Sequence, residues 1–226
     1  MADKWFSGSG KKVAFGIAAG GAVAATAFAL YKLYRNHVGE ALCDEGFVDN
    51  PKLEEIPEKR ILVLGLDGAG KSSFLACLSN QDNKSSPLPT DGFNVICLQT
   101  EKVALDIWEI GGGETVRKYW PNFLQDTDLL VYMVDSSNEA RFPEAYTELH
   151  ILLGDERLKK VPILILANKQ DVPNAFSPQK VMDALGLSNM STKEHNSYFL
   201  GLQVPPLGQK VGVKDAEKLM ARLCER

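Results

Sequence analysis

Gly65-Leu66-Asp67-Gly68-Ala69-Gly70-Lys71-Ser72-Ser73 sets a lysine and two hydroxyls directly behind a glycine-rich turn, an order of residue types that suits a polyphosphate. The glycines let the backbone curl until successive N–H groups point inward at a β-phosphate, beside a helix N-terminus whose dipole favours negative charge. Lys71 then places its ammonium on the β- and γ-phosphates, Ser72 offers its hydroxyl to Mg2+, and Ser73 supports the α-phosphate. A second group lies well downstream in Asn168-Lys169-Gln170-Asp171. An ionised aspartate only accepts hydrogen bonds, so Asp171 suits the N1 and exocyclic N2 donors of guanine, whereas adenine offers no such pair. Asn168 is expected to tie this loop to the phosphate loop, and the Lys169 stem to lie over the purine face. Each stretch alone could be a turn after a strand; together they read as a site for GTP or GDP.

The elements around these residues must hold two loops at one end of a sheet. "RILVL" before the glycines is an apolar strand, "SSFLACLSN" after them a helix, and "VPILILAN" a run suited to a strand buried on both faces. "FNVICLQTEKVALDIWEI", residues 93–110, reads as two strands around a Glu101-Lys102 turn, and "LLVYMVD" as another buried strand. "EARFPEAYTELHILL" and "DAEKLMARLCER" carry helical apolar spacing. Strands alternating with helices imply an α/β domain with a mostly parallel sheet. The 226 residues suffice for one filled domain plus an appendage. A net charge of −4 gives no basic excess to neutralise phosphates along a strand, which argues against a nucleic-acid partner. The four cysteines, Cys43, Cys77, Cys97 and Cys224, have no pairing or metal-site spacing and read as reduced thiols. The three histidines, His37, His150 and His195, have no metal-ligand spacing either.

Ahead of this domain, residues 13–33 open with "VAFGIAAGGAVAATAFALY", an uncharged run that as a helix spans about 28 Å, close to the hydrocarbon thickness of a bilayer. Lys11 and Lys12 precede it, Lys32 and Arg35 follow, and Trp5, Phe6, Tyr31 and Tyr34 suit the interfaces. A cleaved signal peptide and a buried core helix are the alternatives. The run is longer than a signal h-region, which favours an uncleaved transmembrane anchor. Gly16-x-x-x-Gly20 would allow weak self-association of two such anchors, although a merely small-residue helix explains the same spacing. The layout is therefore a short segment at 1–12, an anchor at 13–33, an acidic linker at 34–59 and a nucleotide-binding domain at 60–226. Balanced basic flanks leave orientation to the soluble domain, which needs the cytosol for GTP and Mg2+. A mitochondrial outer membrane and the endoplasmic reticulum both suit such an anchor.

With "GLDGAGKS", "PTDGFN", a Gly-Gly after a Trp-containing strand and "NKQD" in that order, residues from about 60 onward resemble the ADP-ribosylation-factor-like small GTPases, most of all their divergent membrane-anchored members. The resemblance implies a P-loop small G-protein fold: a six-stranded, mostly parallel sheet flanked by helices, here preceded by one N-terminal transmembrane helix. It implies that the Thr90 hydroxyl meets Mg2+, with its amide near the γ-phosphate, and that the Gly112 N–H reaches the same phosphate. Lys71 and Thr90 are then the catalytic residues this chain retains. Phe93, Trp108 and Phe123 match the aromatic positions through which such proteins meet effectors and regulators; sheet packing is the other role these rings can have.

Four positions depart from the family pattern. Ala2 stands where many relatives carry a myristoylated glycine, a task the transmembrane segment would take over. In the last guanine-binding loop, Gln203-Val204-Pro205 replaces the usual small residues, leaving the Val204 N–H to meet guanine O6. Glu109 replaces the aspartate that holds Mg2+, often through a water, and is itself expected to reach the metal through a water. Its extra methylene predicts looser metal binding, with tighter Mg2+-dependent retention on restoring Asp. Gly113 stands in place of the glutamine that positions the attacking water, so intrinsic hydrolysis is expected to be very slow. The expected function is a membrane-anchored guanine-nucleotide switch; the alternative is a non-enzymatic scaffold that uses the fold to recruit partners.

Overall fold

The computed structural model describes residues 56–79, 90–188 and 196–225. The anchor at 13–33, Ala2, Cys43, His37 and His195 lie outside these residues. Among the described residues no helix is long and apolar enough to cross a membrane.

Six strands form one sheet in the order β2-β3-β1-β4-β5-β6. They are β1 (Glu58–Leu64), β2 (Phe93–Gln99), β3 (Ala104–Ile110), β4 (Leu129–Asp135), β5 (Ile163–Asn168) and β6 (Ser197–Gly201). All neighbours run parallel except β2 and β3, which form an antiparallel hairpin. Its turn is closed by the Thr100 N–H on the Val103 carbonyl at 2.9 Å, around the expected Glu101-Lys102 pair.

Among the described residues five α-helices flank the sheet: α1 (Lys71–Leu78), α2 (Glu114–Arg117), α3 (Phe142–Leu153), α4 (Pro178–Ala184) and α5 (Val213–Cys224). Period-two alternation explains the unbroken apolar strands. Leu62, Leu64, Leu130, Tyr132, Ile163 and Ile165 bury toward α3 and α4, while Ile61, Val63, Val131, Met133, Leu164 and Leu166 bury toward α1 and α5. Helix α5 presents Ala216, Met220 and Leu223, spaced to fall on one stripe, to that second layer. Parallel strands covered on both faces leave only their ends open. Both chemistry-bearing loops emerge at the C-terminal ends of β1 and β5, which is where open α/β sheets bind ligands.

Candidate functional site

The phosphate loop follows β1, and its last glycine caps α1 in a left-handed conformation (φ 93°). Gly70 has a second reason to lack a side chain: a Cβ there would fall 2.3 Å from the Asn168 amide nitrogen. That nitrogen donates to the Ala69 carbonyl at 2.8 Å, so Asn168 ties the base loop to the phosphate loop as expected. Lys71 is buried, and its ammonium donates to the Gly65 and Leu66 carbonyls at 2.8 and 3.0 Å. Burial pushes its pKa down to about 8, opposed by the nearby carboxylates of Glu109 and Asp67.

A cleft of about 370 Å³ joins the two ends. At one end it is lined by Asp67, Gly68, Gly70, Lys71, Ser72, Ser73, Thr90, Glu109 and Gly112, and at the other by Asn168, Lys169, Asp171 and Val204. Gly65, Leu66 and Ala69 serve through the carbonyls just described. Gly112 presses on the phosphate loop: its carbonyl accepts the Asp67 N–H at 3.2 Å, and a Cβ at 112 would lie 2.3 Å from the Gly65 oxygen. Gly113 does not line the cleft; a Cβ there would meet nothing within 4 Å.

Ser72 Oγ lies 3.0 Å from Thr90 Oγ1 and donates to Glu109 Oε1 at 2.5 Å. Three oxygen donors, one of them a carboxylate, fit a hard cation such as Mg2+ and would not suit a softer metal. At the guanine end, Lys169 pairs with Asp135 at 2.6 Å. Pro205 and Pro206 also line the cleft and carry no N–H, so Val204 holds the last backbone donor before Leu207.

Several participants were not foreseen. Asn94 donates to Glu109 Oε2 at 2.8 Å, and Trp120 donates to the Gly111 carbonyl at 2.9 Å. Arg141 donates to the Asp67 carbonyl and to its carboxylate, both at 2.9 Å, and also to Glu144. Arg117 on α2 reaches Glu144 at 2.6 Å and Glu148 at 2.8 Å with its guanidinium almost fully buried. The phosphate loop, α3 and α2 thus share one ionic network. Hydrogen bonding to Arg141 is the first cause holding the carboxyls of both Asp67 and Glu144 below their ordinary range. A carboxyl pKa lowered by folding stabilises the fold above its unfolded value, so this network weakens as pH falls through the lowered values. Arg117→Ala should cost about 1–3 kcal/mol in urea unfolding, because two carboxylates lose a desolvated, forked partner. An unchanged midpoint would show the network to be inert.

The aromatic trio is packed instead of displayed. Phe93 stacks on Trp108 with centroids 5.6 Å apart and lies 6.0 Å from Phe123, and the three rings are 5%, 2% and 6% exposed. Their first role in this structure is sheet packing.

A phosphate loop between β1 and α1, facing an Asn-Lys-x-Asp loop after β5 of a mostly parallel sheet, defines the small GTPase fold. The chain belongs to the ADP-ribosylation factor family, whose model matches residues 50–204. It is similar to ADP-ribosylation factor-like protein 10 of Mus musculus, at 40% identity over 164 residues covering 73% of this chain and 66% of that protein. It is also similar to ADP-ribosylation factor-like protein 9 of Homo sapiens, at 35% identity over 178 residues covering 78% of this chain and 94% of that one. A structure of the Arl6 BBS3 small GTPase from Trypanosoma brucei, with bound nucleotide analogue GppNp, superimposes with a TM-score of 0.64 at 22% identity. It covers 75% of this chain and 98% of its own, a likeness of fold. As a member of this family the chain is a guanine-nucleotide-binding switch, of a kind that engages effectors and regulators.

Proposed function

We propose that this protein is a membrane-anchored guanine-nucleotide switch that binds GTP or GDP with Mg2+ and hydrolyses GTP very slowly. The observation carrying this reading is the single cleft in which Lys71, Ser72 and Thr90 line one end and Asp171 and Val204 the other. Backbone N–H groups of the phosphate loop and the Lys71 ammonium hold the β- and γ-phosphates. Ser72, Thr90 and Glu109 hold the Mg2+, which when bound neutralises charge on those phosphate oxygens. Asp171 reads guanine N1 and N2, and the Val204 N–H meets O6. Thr90 and Gly112 meet the γ-phosphate, so its loss releases both loops and changes the surface that partners see.

At position 113 there is no side chain to orient water, and the neighbouring Glu114 carboxylate begins α2. Release from the GTP state then calls for a partner that supplies both water positioning and a cation. Nucleotide extracted from the purified full chain tests this directly. GTP recovered in preference to GDP supports a slow switch, GDP supports ordinary cycling, and neither supports a scaffold.

Residues 13–33 anchor the domain on the cytosolic face of the mitochondrial outer membrane or the endoplasmic reticulum. A spanning helix is effectively permanent, so nucleotide state does not govern membrane release. Alkaline carbonate should leave the full chain in the membrane pellet whichever nucleotide is loaded, and a chain shortened to 34–226 in the supernatant. Recovery of the full chain in the supernatant would rule the anchor out. Imaging residues 1–40 fused to a fluorophore separates the two organelles.

A further inference from the structure

Glu109 is 1% exposed, and each of its carboxylate oxygens has a separate partner. Ser72 Oγ donates to Oε1 at 2.5 Å, with Thr90 Oγ1 3.4 Å from the same oxygen, while Asn94 Nδ2 donates to Oε2 at 2.8 Å. With the 3.0 Å between Ser72 and Thr90, three side-chain oxygens outline a triangle whose sides are 2.5, 3.0 and 3.4 Å. Mg2+ holds its ligands at about 2.0–2.1 Å in a near-ideal octahedron, which sets neighbouring oxygens about 2.9 Å apart. The three sides bracket that spacing, so the three side-chain oxygens lie close enough together to share one cation. An aspartate on the same backbone would carry its carboxylate about 1.5 Å less far toward Ser72, one carbon–carbon bond.

We propose that Glu109 enters the metal's inner coordination sphere directly through Oε1, and that Asn94 is the positioning residue that keeps Oε2 out of it. This rests on the reading that Mg2+ and a guanine nucleotide share the cleft. Mg2+ tolerates misplaced ligands poorly, and a carboxylate free to rotate would present both oxygens to it. A carboxylate only accepts, so the Asn94 amide faces it through Nδ2–H and fixes that rotation. The antiparallel register of β2 and β3 sets Asn94 directly opposite Glu109, on the same face of the hairpin. The one-methylene lengthening that predicted loose metal binding is what closes the distance to Ser72, so the expected sign of Glu109→Asp is reversed.

The test loads the full chain with Mn2+ and GDP and counts metal-bound waters from the broadening of the Mn2+ resonance in 17O-enriched water. Wild type should hold one water fewer than Glu109→Asp, and Glu109→Asp should need about tenfold more Mn2+ for the same occupancy. Glu109→Gln keeps the reach and loses the charge; it should match the wild-type water count at weaker Mn2+ affinity. Asn94→Ala should raise the Mn2+ dissociation constant about tenfold while leaving nucleotide retention in EDTA unchanged. Equal water counts in wild type and Glu109→Asp overturn the direct bond. Unaltered Mn2+ affinity in Asn94→Ala, or an equal loss of retention in EDTA, overturns the positioning role. A full chain that forms no Mn2+–nucleotide complex overturns the nucleotide reading and this inference together.

Discussion

Glutamine introduced at position 113 is expected to raise single-turnover hydrolysis of bound GTP by about tenfold to a hundredfold over wild type. The backbone at Gly113 is ordinary extended chain (φ −65°, ψ 148°), so a side chain brings no backbone strain. A Cβ there meets no atom within 4 Å, so the first carbon of a new side chain has room. The groups proposed to meet the γ-phosphate, Lys71, Thr90 and Gly112, stay as they are. The variant supplies an amide at the position where the family carries its water-positioning glutamine, and the rate reports whether that amide orients the attacking water. Gly113→Ala is the control: it fills the position without an amide and should leave the rate at the wild-type value. Equal rates for wild type and Gly113→Gln would mean that water positioning does not limit this protein.

Asp171→Asn should weaken GTP binding by about a hundredfold and reverse the preference toward xanthosine triphosphate. Each hydrogen bond to a charged group contributes about 1.5–3 kcal/mol, and asparagine keeps one acceptor while turning a donor toward guanine N2. Xanthine carries a carbonyl at that ring position and keeps its N1–H, so the amide matches it in both places. Competition between the two triphosphates on the full chain reads this out. A parallel loss of both would show that Asp171 supports the loop and does not read the base.

Residues whose placement is local in sequence were legible before the structure. Strand, glycine loop, lysine and helix are contiguous, as are β5 and its Asn-Lys-Gln-Asp, so pattern alone placed the cleft and its two ends. The pairing of Asn94 with Glu109 was within reach, because a hairpin centred between Glu101 and Lys102 brings those two together. It was missed because an asparagine on a strand carries no chemical signature of its own. Network members Asp67, Arg117, Arg141, Glu144 and Glu148 come from three separate elements, and nothing in sequence says that two arginines share one carboxylate. Helix α4 escaped notice because it is short and buries only Val181 and Met182. The sequence left Phe93, Trp108 and Phe123 between effector contact and sheet packing, because their burial depends on stacking across three elements, which periodicity does not report.

The bond from Asn168 to the Ala69 carbonyl spans 99 residues of chain and fixes the span between the base end and the phosphate end of the cleft. A guanine nucleotide held as proposed would be gripped at both ends of this tied cleft, each end raising the local concentration of its partner group to about the millimolar range or above. Guanosine or pyrophosphate alone would have only one end to hold it and should leave sooner than the whole nucleotide. Departure of the whole nucleotide is a sequence of two releases, with recapture competing after the first. A protein that ejects it needs to prise open one end and keep it open, and the other then lets go at its own intrinsic rate.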